Sequence, residues 1–220
     1  MRMLAIDCSL GQVSFAASMG SKVYSYVLHD KNKSDLGSSL FDLLAEVVEG
    51  TSITDFEKIL LSIGPGSFTD IRIVMALGRG LNLAMPENEF LGCTALEILA
   101  LIFLNEINPQ NSFPFFSTVY CPSTRKQYGQ MFDKEGLATE VPRVYEEGDL
   151  LALKEQYKML NIVGCIPKIF NHKLSEGCCL FPKKIDARAL CRMADFIDPH
   201  THKFSEMKPL YIRKTYVNTN

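Results

Sequence analysis

The stretch from Lys58 to Pro86 constrains the fold more than any other. Ile59-Leu60-Leu61-Ser62-Ile63 is a short apolar run rich in branched residues, the pattern of a buried strand. Gly64-Pro65-Gly66 stops it, since two glycines admit backbone angles that side chains forbid and proline fixes one φ. A helix starts at once. Ser67 or Thr69 supplies its cap, Asp70 puts negative charge in the first turn, and Pro86 ends it. Inside this helix Ala76, Gly80 and Ala84 recur every four residues and form one small-residue stripe, with Gly78 beside it. Each helical glycine costs about 1 kcal/mol relative to alanine, so two of them predict a close neighbour. That neighbour is either the core of the same chain or a second chain.

Around this joint the chain alternates strands and helices. Met3-Leu4-Ala5-Ile6 is a continuous apolar strand ending at Asp7, followed by a polar turn through Ser9 and Gly11. Val13, Phe15 and Ala17 alternate with serines as a second strand, and Val23 to Leu28 returns as a third. Leu36, Leu40, Phe41, Leu44, Val47 and Val48 fall at helical spacing, capped by Ser34 and stopped by Gly50. Glu89 to Gly92 reads as another short strand. Thr94-Ala95-Leu96-Glu97 is a capping box opening an apolar helix to about Ile107. Residues 1–107 therefore read β-β-β-α-β-α-β-α, an α/β arrangement.

The second half carries weaker signals. Phe115 to Tyr120 and Lys126 to Phe132 read as strands about Pro122-Ser123-Thr124. Leu150 to Leu160 reads as a helix, Ile162-Val163 as a strand, and Ala187 to Ile197 as an amphipathic helix. Pro209 to Lys214 is a strand or an ordered extension. No internal repeat is visible in the sequence.

Composition narrows the function. The 220 residues suffice for one domain or two small ones, and 47% hydrophobic with 22% charged residues is ordinary for a globular protein. A net charge of −2 offers no basic surface for nucleic acid. The seven cysteines include no C-x-x-C, and adjacent Cys178-Cys179 is a poor start for a disulfide, a pattern of reduced thiols. Asp7 interrupts the first apolar run too early for a signal peptide, and no 18-residue apolar segment follows. The expected location is the cytoplasm, without a membrane.

Gly64-Pro65-Gly66-Ser67-Phe68-Thr69-Asp70-Ile71-Arg72 resembles the G-P-G-S-F-T-G-[LI]-R signature of the bacterial TsaB (YeaZ) family. Other landmarks agree in order: Met3 to Asp7 with Ser9, then Gly78 and Gly80. Thr94 to Glu97 resembles the family's S-S-L-E segment, Arg125 to Phe132 its hairpin, and Pro209 to Arg213 its P-x-Y-[LI]-R ending. The resemblance is dense in the first half and thin between residues 133 and 208. It implies the actin/Hsp70/sugar-kinase fold, two ribonuclease-H-like lobes, here divided as 1–107 and 108–220. It further implies a non-catalytic partner of TsaD, the transferase that places threonylcarbamoyl on the adenosine beside certain tRNA anticodons. A TsaE-like ATPase joins that assembly, tRNA is met only through the complex, and the isolated chain can self-pair as a homodimer. No catalytic residue, cofactor or metal is implied.

Pairing in that family runs through helices of the N-terminal lobe. This predicts a partner interface at Leu40, Leu44, Val47, Ile73, Ala76, Leu77, Gly80 and Ala84, with Gly64 to Thr69 as the signature loop. Three positions depart from the family pattern. Cys8 stands where threonine is usual, Lys33-Ser34-Asp35 where His-Ser-Glu is common, and Asp70 in place of the signature's last glycine. Asp70 bears on chemistry, because a carboxylate in the helix N-terminus occupies the place of an anion.

The remaining candidates read as structural. Asp7 with Ser9 has the character of a phosphate or Mg²⁺ site in kinases of this fold, but one aspartate is better read as a polar strand end. Gly64–Asp70 reads as a tight turn with a good cap rather than a phosphate cradle. His29, His172, His200 and His202 form no H-E-x-x-H and no i, i+4 pair, and His200-Thr201-His202 reads as a solvated loop. The cysteines read as packing, the Thr94–Glu97 box as structural and Arg125-Lys126 as a solvated turn. The rival reading is an enzyme, an ATP-dependent kinase of this fold or a peptidase. A kinase needs a second glycine-rich loop, and no two glycines after residue 128 lie close together.

Overall fold

The computed structural model describes residues 1–7, 13–20, 22–28, 44–45, 48, 50–122, 124–157, 160–166, 178–179 and 185–212. Among the described residues two five-stranded sheets form the frame. The first takes β1 (Arg2–Asp7), β2 (Val13–Met19), β3 (Lys22–Leu28), β4 (Lys58–Ser62) and β5 (Glu89–Cys93). Its order is β3-β2-β1-β4-β5, an antiparallel meander to which β4 and β5 add in parallel. The second takes β6 (Phe115–Cys121), β7 (Lys126–Phe132), β8 (Arg143–Tyr145), β9 (Asn161–Gly164) and β10 (Cys178–Cys179). Its order is β8-β7-β6-β9-β10, with β6-β7-β8 antiparallel and β9 and β10 parallel to β6. Strand for strand this repeats the first sheet. The topology is duplicated although no repeat survives in the sequence.

The helices bind the two sheets into one body. α1 (Phe68–Ala84) covers the outer face of the first sheet, burying Ile71, Val74, Met75 and Gly78. α2 (Ala95–Ile102) follows β5 but packs on β6, β7 and β9 of the second sheet. α4 (Ala187–Met193) follows β10 but packs on β1, β2 and β4 of the first. α3 (Glu147–Gln156) covers the outer face of the second sheet through Leu150 and Leu153. All strands of one sheet precede residue 107 and all strands of the other follow it, while α2 and α4 cross over. The central core joins Ala5, Leu60 and Leu91 from one sheet to Phe115, Val119 and Val163 from the other. Phe103, Phe115 and Phe132 stack through it with ring centroids 4.7 and 5.5 Å apart, contacts worth about 0.5–1.5 kcal/mol each beyond burial.

The observed elements depart from the sequence expectation mainly at their ends. The apolar helix after Thr94 is α-helical only to Ile102, and Phe103–Ile107 widens into a π turn closed by the Asn108 N–H on the Phe103 carbonyl at 2.7 Å. Asn105 donates its side-chain amide to the Leu101 carbonyl at 2.8 Å, a local competitor for the backbone bond. α3 starts three residues before the expected Leu150, because Asp149 accepts from the Glu146 N–H at 2.8 Å, and it ends at Gln156. The helix from Ala187 tightens into a 3₁₀ turn over Ala194–Phe196. Within the described residues 209–212 there is no strand, but the Leu210 N–H reaches the Ile63 carbonyl at 3.0 Å, so this part is an ordered extension. Of the helix expected over Leu36–Val48, only Leu44, Ala45 and Val48 lie within the described residues, and all three are helical.

Candidate functional site

The signature loop forms the corner between β4 and α1. Its ends are tied to the neighbouring strand: the Ile63 N–H reaches the Cys93 carbonyl at 2.9 Å and the Ala95 N–H the Gly64 carbonyl at 2.8 Å. Gly64 has φ +111°, and a Cβ there would lie 2.9 Å from Ile71 Cδ1, so both angle and space require glycine. The Gly64-Pro65 peptide is cis. Ser67 caps the helix, its Oγ accepting from the Asp70 N–H at 3.5 Å; Thr69 is exposed. Asp70 is buried in the first turn, so a side-chain carboxylate already occupies the positive end of the helix.

Phe68 projects outward and meets the C-terminal extension. Its ring lies 4.7 Å from that of Tyr211, and the Arg72 guanidinium sits 5.2 Å from its centre. Between this corner and the β6–β7 hairpin lies a cleft of about 250 Å³ lined by Gly66, Phe68, Thr124, Lys126, Tyr128 and Leu210 to Ile212. Arg125, at the hairpin turn with φ 53°, is exposed, as a solvated turn requires.

The stripe on α1 points outward. Ala76, Gly80 and Ala84 are all exposed, Leu83 beside them is 84% exposed, and a Cβ at Gly80 would meet nothing within 4 Å. The close neighbour belongs to Gly78 instead. A Cβ there would lie 2.8 Å from Leu61 Cδ1 and 2.8 Å from Phe204 Cζ, so this glycine admits the C-terminal segment against the sheet. The sequence carries that signal, since Ile71, Val74 and Gly78 repeat at the spacing of an inward face. Of the other interface positions, Ile73 and Leu77 are half-buried along the edge of the core, and Leu44 is buried within it at 6% exposure. Leu40 and Val47 lie outside the described residues, as do Cys8, Ser9 and the Lys33–Asp35 segment. Asp7 is fully buried at the end of β1.

The structure also assembles three residues that sequence spacing gave no reason to group. Cys93 ends β5, Glu97 stands in the first turn of α2, and His202 lies in the loop before Phe204. One ligand atom from each falls within 4.8 Å of the others. The Glu97 backbone N–H donates to Thr94 Oγ1 at 3.1 Å and the Thr94 N–H to Glu97 Oε2 at 2.8 Å, completing the expected capping box. The other carboxylate oxygen faces His202 Nε2 at 3.6 Å. His202 is therefore not a solvated loop residue, unlike exposed His200. The adjacent Glu97 carboxylate raises the His202 pKa. Burial pushes the Glu97 carboxyl up, but His202 and the Thr94 N–H outweigh it and hold it below its usual value. Burial first, then the Glu97 charge, push the Cys93 thiol well above its ordinary range. Burial likewise pushes Cys191 up to about 12, which fits packing.

No known protein-family profile matches the sequence. A tRNA threonylcarbamoyladenosine biosynthesis protein TsaB from Buchnera aphidicola subsp. Schizaphis graminum is 32% identical over 99 residues, covering 44% of this chain and 46% of that protein. The match thus spans about half the length of that relative. Among solved structures, YeaZ from Pseudomonas aeruginosa superposes with a TM-score of 0.68 over 96% of this chain and 99% of that one, at 16% identity. A Bacteroides thetaiotaomicron protein with an actin-like ATPase fold gives 0.50 over 87% of this chain and 95% of that one, at 12% identity. The fold is that of these solved structures, and the sequence similarity is to about half of one TsaB protein.

Proposed function

We propose that this chain is a non-catalytic scaffold subunit of a tRNA threonylcarbamoyladenosine-forming complex, pairing with a TsaD-type transferase through the outer face of α1. The observation that carries this reading is the exposed stripe of Ala76, Gly80 and Ala84 beside solvent-facing Leu83. Small residues let a second helix approach closely, and the flanking apolar atoms of Leu83, Ile73 and Leu77 reward that approach at about 25 cal/mol per Å² buried. Of the two helical glycines only Gly78 is compensated by close packing within the chain, so the cost of Gly80 has no intramolecular return. Leu44 lies in the core and takes no part in that contact, whose other described residues all lie on α1. The net charge of −2 assigns tRNA binding to the partner subunits, among them a TsaE-like ATPase. Two lobes divided near residue 107 and a cytoplasmic location belong to the same reading.

Depletion of the protein should lower threonylcarbamoyladenosine in bulk tRNA, measured by mass spectrometry of nucleosides. An unchanged level after depletion counts decisively against the assignment.

A further inference from the structure

We propose that Cys93, Glu97 and His202 form a three-ligand site for a zinc-type divalent ion that fastens the loop before Phe204 to the β5–α2 corner. The donor set of one sulfur, one imidazole nitrogen and one carboxylate oxygen is a zinc set, with water as the fourth tetrahedral ligand. Around such an ion neighbouring donors stand about 3.4–3.6 Å apart, from bond lengths of about 2.0–2.3 Å. His202 Nε2 and Glu97 Oε1 are 3.6 Å apart, and all three donors lie within 4.8 Å.

Three further features point to coordination rather than to a simple ion pair. His202 Nδ1 lies 3.1 Å from the Asp198 carbonyl. The Thr201 hydroxyl lies 2.9 Å from the same nitrogen, so Nδ1 has its own partners and Nε2 is the nitrogen turned towards Glu97. A backbone carbonyl on the far ring nitrogen is the usual support of a metal-bound histidine. The 3.6 Å gap is also too long for a direct hydrogen bond yet fits two ligands of one ion. Glu97 is steadied in the same way, because its Oε2 is held by the Thr94 N–H at 2.8 Å and Oε1 is left facing the site.

The ligands sit on backbone that is already fixed. The Ile63 N–H binds the Cys93 carbonyl at 2.9 Å, the Gly92 N–H the His202 carbonyl at 2.8 Å, and the His202 N–H the Asp198 carbonyl at 3.0 Å. Cys93 is 1% exposed, whereas the Glu97 and His202 side chains are 32% and 21% exposed, so an ion can enter from solvent. As the metal–sulfur bond forms, the Cys93 S–H bond breaks and its proton leaves to water. The ion then ties the loop that carries Phe204, whose ring packs against Gly78 of α1.

The test titrates the chelator-treated full chain with Co²⁺ as a spectroscopic stand-in and then with Zn²⁺. Expected are one Co²⁺ per chain, a thiolate-to-cobalt charge-transfer band, displacement by Zn²⁺, and a Tm rise of about 5–10 °C at a hundredfold excess over Kd. Cys93→Ser should abolish the band, and His202→Gln should weaken binding at least about tenfold. Glu97→Gln decides the matter if Cys93→Ser misfolds. Its amide oxygen still accepts from the Thr94 N–H, so the cap survives, while the charged ligand is gone and binding should fall at least about tenfold. Absence of stoichiometric binding overturns the proposal, as does a thiolate band unchanged in Glu97→Gln and His202→Gln.

Discussion

Gly78 and Gly80 stand two residues apart in one helix and should answer differently to the same substitution. Replacing either by alanine gains the same helix propensity, about 1 kcal/mol, so that contribution cancels between them. At Gly80 the new methyl meets nothing within 4 Å. Gly80→Ala should therefore stabilise the chain by about 0.5–1 kcal/mol. At Gly78 the methyl would fall 2.8 Å from Leu61 Cδ1 and from Phe204 Cζ. Leu61 is fully buried and Phe204 is 2% exposed, so neither can turn away without disturbing packed neighbours. Forcing a methylene into such a core costs about 1–3 kcal/mol. Gly78→Ala should thus melt below Gly80→Ala by about 2–12 °C, at about 2–4 °C per kcal/mol for a chain of this size. Thermal melts by circular dichroism decide it. Equal gains at both positions would show that Phe204 does not press on α1, and a loss at Gly80 would show that its face is covered within the isolated chain.

Phe204→Ala removes a ring that fills the space above Gly78 and Gly92 and should cost about 3–5 kcal/mol, read as a lower denaturant midpoint with an unchanged m-value. The Glu97–His202 pair makes stability depend on pH. With His202 raised, its contribution is fully present below about 6.5 and is lost as pH rises through the raised folded value. With Glu97 lowered, its contribution is present above about 4.3 and is lost as pH falls through the lowered folded value. In chelator, the Tm gap between the parent chain and His202→Gln should therefore be widest near about pH 5–6 and close towards alkaline pH; a gap that widens instead refutes the pairing.

How far the sequence could be read depended on the distance over which each feature is decided. The β4–α1 joint was legible because an apolar run, two glycines, a proline and a serine cap specify it within nine residues. The start of α2 was legible for the same reason, as Thr94 and Glu97 complete the box locally. The π turn at Phe103–Ile107 was not, since it depends on an asparagine side chain competing for a carbonyl one turn back. Arg143–Tyr145 and Cys178–Cys179 are too short to show a period, and they become strands only because β7 and β9 offer them an edge. The duplicated topology was invisible because equivalent strands share hydrophobic character but not residues. In the candidate site, the stripe was legible as a pattern while its direction was not, because small residues suit a buried seam and an open face equally. His202 lies 105 positions beyond Glu97, and no spacing rule joins them. Backbone bonds from the 198–203 loop to β5 bring them together.

The central claim, that the open face of α1 receives a TsaD-type partner, is tested most directly by Gly80→Arg. The position has free space around it, so the longer side chain can lie in solvent and the subunit should keep its circular dichroism spectrum and its cooperative melt. In a helix–helix seam the same side chain brings bulk and an unpaired charge into a desolvated contact. Retention by the immobilised cognate transferase should then fall by about a hundredfold or more, equivalent to about 2.7 kcal/mol. A Gly80→Arg chain that folds normally and binds the transferase with undiminished affinity would place the interface elsewhere and contradict the account.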